Sequence, residues 1–200
     1  MYIYCLSINI CYVCFLIQNL AIMSKSNKWI FTGLRIVAWL IFVGLSIEAG
    51  ALIVNFIVSI YNPAFVKNLY QKLDLSEMYA RSSWAFFTMY SFVLAVSILK
   101  AVLFYLVILL VTKMNLSAPF NDYVAKKIAQ ISYYSFSVGL VSYIAQQSAE
   151  NLMQRGINTE ILNQYWGDTE AFILMAAVVY VIATIFKRGI DLQNENDLTV

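Results

Sequence analysis

The chain has 200 residues and a formal net charge of +2; 62% of its residues are apolar or aromatic and 12% are charged. Soluble domains average about 45–50% apolar and about 25% charged residues, so a water-soluble fold could not bury this much apolar surface. The basic residues are too few and too scattered for the positive stripe that direct nucleic-acid binding requires. The composition predicts an integral membrane protein whose first partner is the lipid bilayer.

The residue types needed for most catalysis are missing. The sequence contains no histidine, the commonest general base, proton shuttle and metal ligand, and no glycine-rich nucleotide-binding motif. Its cysteines, Cys5, Cys11 and Cys14, lie in an apolar stretch without the second ligand pair or the thioredoxin-like context of metal and redox sites. We therefore expect no enzymatic activity, no metal and no cofactor.

Four stretches are long enough, or nearly so, for the roughly 20 apolar residues that a transmembrane helix needs. They are Ile36–Tyr61, Trp84–Val111, Ile128–Gln147 and Ala171–Phe186. The third is rich in serine and tyrosine; the fourth is short, but Tyr165 and Trp166 precede it and Lys187 and Arg188 follow it, as interfacial anchors do. The sequence predicts an all-α fold, a polytopic membrane bundle of about four transmembrane helices.

The distribution of lysine and arginine on alternate sides of these spans predicts their orientation. Eight lie on one side: Lys25, Lys28, Arg35, Lys113, Lys126, Lys127, Lys187 and Arg188. Four lie on the other: Lys67, Lys72, Arg81 and Arg155. Both termini are therefore expected in the cytoplasm.

Residues 1–23 form an apolar N-terminal extension without the features of a secretory signal. Ser24–Lys28, which follow Met23, read as the cytoplasmic start of a membrane protein. The preferred interpretation is a translation start placed too far upstream, and the alternative is a fifth span. Residues 24–200 then form the four-span domain, with a cytoplasmic tail at 187–200.

Two connections have helical patterns of their own. In the first outer loop the apolar residues Phe65, Val66, Leu69, Tyr70 and Leu73 recur at helical spacing, which predicts an amphipathic segment on the membrane surface. In the inner loop, Ser117 is expected to cap a helix that begins near Pro119, with Asp122 in its first turn.

Two charges fall inside the predicted spans. Glu48 and Lys100 lie near the middle of the first and second spans, and antiparallel helices would place them at similar depth. An unpaired charge at a helix centre costs about 2.5–3.5 kcal/mol on insertion scales, so a pair is expected. The pair is interpreted as a structural ion pair or as part of a proton relay, ion relay or polar substrate site; a protonated Glu48 bonded to a carbonyl is a third possibility.

The third span carries small and polar residues at spacings of three and four, which lets helices approach closely and hydrogen-bond across the contact. They are Ser132, Ser135, Gly139, Ser142 and Gln146. The pattern predicts a helix-packing seam; a lined conduit is the alternative.

Two segments resemble one family. Residues from Ile185 to Val200 are similar to the closing signature of the bacterial domain-of-unknown-function family 2975, and Ala118–Lys127 is similar to its Pro-Phe entry into a helix. The resemblance implies a small bacterial inner-membrane protein with four spans, often encoded beside a small helix-turn-helix regulator. Residues 1–23 depart from this plan.

The family association implies a cytoplasmic transcription factor as partner, and the tail has the chemistry to meet one. Lys187 and Arg188 are expected to anchor the fourth helix, and Gly189 to break or cap it. The candidate docking residues are Pro119, Phe120, Asp191, Gln193, Glu195 and Asp197. A solvated helix end is the alternative interpretation of this tail.

The leading functional hypothesis is a sensor or membrane tether for a cytoplasmic helix-turn-helix regulator. The alternative is a small transporter, or a membrane protein giving immunity to a membrane-active peptide, with Glu48, Lys100 and the serine seam lining its interior. A membrane-embedded enzyme is the third hypothesis. The sequence leaves the oligomeric state open.

Overall fold

A computed structural model gives the architecture of residues 2–62, 66–67, 69–70, 73–114 and 120–197, with side chains described between Trp29 and Glu195. Within these ranges the regular structure is helical and contains no strand. The chain forms two compact units, Met1–Val37 and Ala38–Val200. The first unit is the N-terminal part of helix α1, and the second holds every other element. The predicted all-α helical bundle is confirmed.

The helices of the described residues follow one another with short connections. They are α1 (Tyr2–Tyr61), α2 (Ser76–Arg81), α3 (Ser83–Lys113), α4 (Asp122–Gln154), α5 (Asn163–Trp166) and α6 (Thr169–Asp197), with a 3-10 turn at Glu160–Leu162 before α5. Helix α4 packs against both α3 and α6. Within the second unit, α1 packs on α3: the Phe56 and Tyr90 rings stack with centroids 5.4 Å apart.

Among the residues with described side chains, three helical stretches are long and apolar enough to cross a membrane: Trp29–Tyr61, Ser83–Lys113 and Glu160–Glu195. Helix α4 is not among them, although its 33 residues exceed the length that a bilayer requires. Its serines Ser132, Ser135 and Ser142 are buried. Because α4 contacts two other helices, its polar face meets protein and needs less apolar character than a lipid-exposed helix.

Helix α4 begins later than the sequence predicted. Its N-cap is Asn121, whose side-chain oxygen accepts a 2.9 Å hydrogen bond from the backbone N–H of Val124. Asparagine satisfies one of the unpaired N–H groups of a first helical turn as well as serine does. The predicted cap Ser117 and start Pro119 lie outside the described residues.

Helix α6 is staggered against α4. The Ser132 hydroxyl donates to the carbonyl of Ala176, and Gly139 lies against Thr169 and Ile173 at the start of α6. From Gly139, α4 continues to Gln154, about 22 Å farther at about 1.5 Å per residue. The chain between α4 and α6 therefore runs back alongside the C-terminal turns of α4 before α6 begins.

This returning segment helps to form what we call the cap: the described residues of 66–81, the adjoining turns of α1, α3 and α4, and residues 157–168. Its core is the largest buried cluster of the described chain: Leu52, Val66, Leu69, Leu73, Leu75, Met78, Ala85, Phe86, Met89, Tyr90, Val93, Ala145, Ala149, Ile157, Leu162, Tyr165 and Trp166. The prediction that the first outer loop lies on the membrane surface is wrong for Val66, Leu69 and Leu73, since these side chains pack into the cap instead.

Polar contacts fix the returning segment of the cap. The Arg81 guanidinium donates to the carbonyl of Gly156, and the Thr159 hydroxyl donates to the carbonyl of Ala149 over 3.0 Å. Gly156 has a φ of 77°, a left-handed conformation that glycine adopts without steric cost. The turn after α4 therefore depends on a glycine and one arginine.

The opposite end of the second unit is the charged end, defined by Lys113, Asp122, Lys126, Lys127, Lys187 and Arg188. Its core is small: Val124, Ile128 and Ala183 are buried, with Phe186 packed against them. Gly189 does not end α6, as the sequence predicted; the helix continues to Asp197. A single glycine costs a helix only about 1 kcal/mol, and packing at this position offsets the cost.

Candidate functional site

The first candidate site surrounds Lys100 of α3. Its ammonium group donates a 3.0 Å hydrogen bond to the backbone carbonyl of Tyr165 and lies 5.5 Å from the centroid of the Phe172 ring. The carbonyl and the aromatic face both offer negative charge density to a cation. Lys100 thus bridges α3 to the segment that leads into α6.

The depth of Lys100 differs from the sequence expectation. In sequence it lies near the middle of a long apolar helix, yet its partners Tyr165 and Phe172 lie at the start of the last span. This follows from the stagger, because α3 extends into the cap well beyond the first residue of α6. Lys100 therefore lies level with the first turns of α6, where its amine reaches a backbone carbonyl.

Carboxylates act on Lys100 from a distance. Asp168 and Glu48 both attract its ammonium group, and Glu48 is half-buried on α1. Among the described residues, Lys100 donates to the Tyr165 carbonyl rather than to the Glu48 carboxylate. The direct Glu48–Lys100 ion pair stays a prediction.

Tyr165 brings an unused hydrogen-bonding group to this region. Its side chain is 4% exposed, and its hydroxyl is buried without a hydrogen-bond partner among the described residues. A buried hydroxyl without a partner is costly and unusual. The Tyr165 hydroxyl is therefore an unused hydrogen-bonding group on the residue whose carbonyl Lys100 binds.

The second candidate is the helix-packing seam of α4, and its members face different neighbours. Ser132 donates to the carbonyl of Ala176 on α6 over 2.9 Å, whereas Ser135 is fully buried and donates to Ile131 of its own helix. A Cβ at Gly139 would lie 2.6 Å from the side chain of Ile173. Ser132 and Gly139 therefore contact α6 directly.

The C-terminal part of the seam, Ser142 and Gln146, lies near a hollow that the sequence did not indicate. Ser142 is 1% exposed, and half-buried Gln146 donates to the Glu150 carboxylate over 3.4 Å. Gln146 and Glu150 line a hollow of about 420 Å³ between α4 and the returning segment, closed on its other side by Thr159, Asn163 and Trp166. The polar end of the seam thus opens to this hollow.

The third candidate is the predicted docking region. The Phe120 ring lies 5.3 Å from the Phe186 ring, and a Cβ at Gly189 would lie 2.8 Å from Phe120. The end of the inner loop is therefore packed on α6 where the predicted tail begins. Gly189 allows this contact because it has no side chain. Pro119 lies outside the described residues.

Beyond Phe120 the polar residues of the tail lie on a helix. Asp191, Gln193 and Glu195 are exposed, and Leu192 is 62% exposed among them. Asp197 is the last residue of α6, and its side chain lies outside the described part. Phe120 therefore packs at the base of the helical extension that carries Asp191, Gln193 and Glu195.

The described residues contain no group of three or more cysteine, aspartate or glutamate side chains that could hold a metal ion. Sequence patterns single out Glu48 and Lys100 but not Tyr165, whose carbonyl and hydroxyl complete the Lys100 region. Only its aromatic character before a predicted span was visible, and this suggested an interfacial anchor. A backbone acceptor leaves no signal in a sequence.

Comparison with known proteins identifies a family whose description gives no activity. A family model with the description "Protein of unknown function (DUF2975)" matches residues 68–200, about two thirds of the chain. The match includes α2 to α6, and with them Lys100, the seam and the tail. No curated protein and no solved structure matches the chain.

Proposed function

The chain belongs to the DUF2975 family, and from this premise we propose that it is a non-enzymatic membrane protein that holds a cytoplasmic helix-turn-helix regulator at the inner membrane. The end of α6 and Phe120 form the docking surface. The absence of histidine from the sequence supports the non-enzymatic part of this proposal.

One observation carries the proposal: α6 continues as a helix to Asp197, nine residues beyond its last basic residue, Arg188. Phe120 packs on Phe186 and Gly189 at the base of this extension. A helix held at its base needs less ordering on binding than a disordered tail would, which favours affinity.

The exposed chemistry of the extension supports a basic partner with an apolar contact. Asp191 and Glu195 are four residues apart, with Leu192 beside them, and residues at this spacing share one helix face. Carboxylates so placed attract a basic surface, and an exposed leucine offers an anchor for a shallow apolar depression. DNA-binding regulators carry basic surfaces of this kind.

The test is binding of a helix-turn-helix regulator encoded beside the gene of this chain, the partner that the family resemblance implies, measured by pull-down of the full-length membrane protein from detergent. Asp191→Lys with Glu195→Lys reverses the charge of the docking surface, and we expect the retained regulator to fall at least tenfold. The matched control is Glu150→Lys with Glu160→Lys, the same charge change on exposed residues at the cap, which leaves binding within twofold.

Equal binding by both double variants would remove the α6 extension from the proposal. A loss in both would show that net charge, rather than the docking surface, governs capture. Truncation after Arg188 is the second arm: it deletes the extension while keeping the basic anchors, and binding that survives it contradicts the docking role.

A second function is favoured by the Lys100 region: transport of a small polar solute, or immunity to a membrane-active peptide. Its support is the buried hydroxyl of Tyr165, which has no hydrogen-bond partner among the described residues, on the residue whose backbone carbonyl Lys100 binds. A solute could complete the hydrogen bonding that this hydroxyl lacks.

Glu48→Gln and Lys100→Met, made singly and together, separate this function from a structural pairing. If each single change lowers the yield of folded protein and the double change restores it, the two charges serve assembly. If all three variants fold and each loses solute uptake or peptide protection, the transport or immunity function gains support.

A further inference from the structure

Two adjoining hollows run along the contact of α4 and α6. One, of about 320 Å³, lies at the charged end and is lined in part by Asp122, Lys126 and Lys187. The other, also of about 320 Å³, is lined in part by Phe136 and Ile173. Both share Tyr133 and Tyr180 in their walls, so they form one groove with a charged lower end and an upper part walled by apolar groups.

The charged end of the groove has a net positive lining. Lys126 and Lys187 outnumber Asp122 there, and both lysines are exposed. The neighbouring Lys113 and Lys127 are placed differently: their ammonium groups lie 5.1 Å and 5.8 Å from the Tyr123 ring. Two of the lysines at this end are thus directed to an aromatic ring and two to the groove.

The length of the groove matches one leaflet of a bilayer. From Lys126 to Phe136, α4 rises about 15 Å at about 1.5 Å per residue, which is half of the roughly 30 Å hydrocarbon core. Tyr133 and Tyr180 lie between the two parts, with ring centroids 6.5 Å apart. Tyrosine favours the boundary between headgroups and acyl chains.

We propose that this groove is a binding site for an anionic phospholipid of the leaflet at the charged end. Lys126 and Lys187 bind the phosphate-bearing headgroup, and an acyl chain lies in the upper part against Phe136, Ile173 and Ala177. Basic hollows between membrane helices recognise anionic headgroups in this way. The site is independent of the docking surface on the α6 extension.

The experiment is native mass spectrometry of the full-length protein released from detergent after incubation with equal amounts of a phosphatidylglycerol and a phosphatidylcholine of identical acyl chains. The wild-type protein retains the anionic lipid over the neutral one by about 30-fold, the preference expected for two lysines near an anionic headgroup. The double variant Lys126→Gln with Lys187→Gln retains the two lipids in equal amounts.

The matched control is Lys113→Gln with Lys127→Gln, which removes the same charge at the same end but outside the groove, and it keeps the preference for phosphatidylglycerol. Ala177→Trp fills the upper part from an exposed position and lowers retention of phosphatidylglycerol at least fivefold. Inorganic phosphate in excess displaces little of the bound lipid, since it lacks the acyl chain.

Three results would overturn the proposal. Equal retention of both lipids by the wild-type protein would remove headgroup recognition. An equal loss in both lysine double variants would reduce the effect to the overall charge of this end. Displacement of phosphatidylglycerol by inorganic phosphate would replace the lipid site with a simple anion site.

Discussion

The cap and the charged end lie at opposite ends of one helical bundle, and they are stabilised by different means. The cap buries aromatic and aliphatic side chains from α1, α3, α4 and the two connections, with Trp166 and Phe86 at most 2% exposed. Among the described residues, the hydrophobic cluster at the charged end has only three buried members, Val124, Ile128 and Ala183, and this end exposes most of its lysines and carboxylates. The cap therefore provides stability, whereas the charged end leaves its surface available for other molecules.

The largest expected effect tests the cap. Trp166→Ala removes an indole that is 2% exposed, and truncation of such a buried aromatic costs about 3–5 kcal/mol of unfolding free energy. Denaturant titration of the purified protein in detergent measures it. Trp84→Ala is the matched control because Trp84 is 76% exposed; a change of similar size at Trp84 would contradict the buried core of the cap.

The next effect tests the helix contact that joins the two regions. A Cβ at Gly139 would meet the backbone of α6 as well as the Ile173 side chain, so Gly139→Ala separates α4 from α6 and costs about 1–3 kcal/mol. The same titration applies. Gly44→Ala is the control: nothing lies within 4 Å of its Cβ position, and the better helix propensity of alanine leaves stability unchanged or raises it.

A smaller effect is expected at the charged end. Phe120→Ala removes a ring that packs on Phe186 and Gly189 but is 43% exposed, so we expect a loss of about 1–2 kcal/mol, below that of a fully buried ring. Proteolysis of the α6 extension should accelerate in this variant. A loss of unfolding free energy as large as that of Trp166→Ala would contradict the proposed difference in stability between the cap and the charged end.

The smallest effect concerns acid sensitivity of the cap. The hydroxyl and backbone N–H of Ser76 hold the pKa of Asp74 below its ordinary value of 3.8. Because the folded pKa is depressed, the stabilisation is present above the unfolded pKa and is lost as pH falls through the folded pKa. Wild-type melting temperature should therefore decline more than that of Asp74→Asn between about pH 5 and about pH 3. Parallel declines would contradict the assignment.

The sequence predicted the helices well because long apolar stretches determine them. α3 extends each end of the predicted second span by one or two residues, and α4 and α6 contain the third and fourth. The stagger of α6 and the burial of Val66, Leu69, Leu73 and Leu75 could not be predicted from the sequence. Val66, Leu69 and Leu73 have a pattern that suits a membrane surface or a protein core equally, and only tertiary packing decides between them.

The candidate sites were predictable to different extents. Lys100 stood out as a charge in an apolar stretch, but its partner is a backbone carbonyl and its depth depends on the stagger. Gly189 suggested a helix end because glycine is a poor helix former; its contact with Phe120 involves residues far apart in sequence. The groove between α4 and α6 combines residues of two helices and appears only in three dimensions.

The most direct test of the proposed tether is the side of the membrane on which each end lies. Single reporter cysteines at Asn158 in the cap and Gln193 on the α6 extension, in a variant without Cys5, Cys11 and Cys14, are treated with a membrane-impermeant thiol reagent on intact cells. We expect that Asn158 is labelled and that Gln193 is protected until the membrane is permeabilised. Labelling of Gln193 in intact cells, with Asn158 protected, would contradict the tether, because a cytoplasmic regulator could not reach the extension.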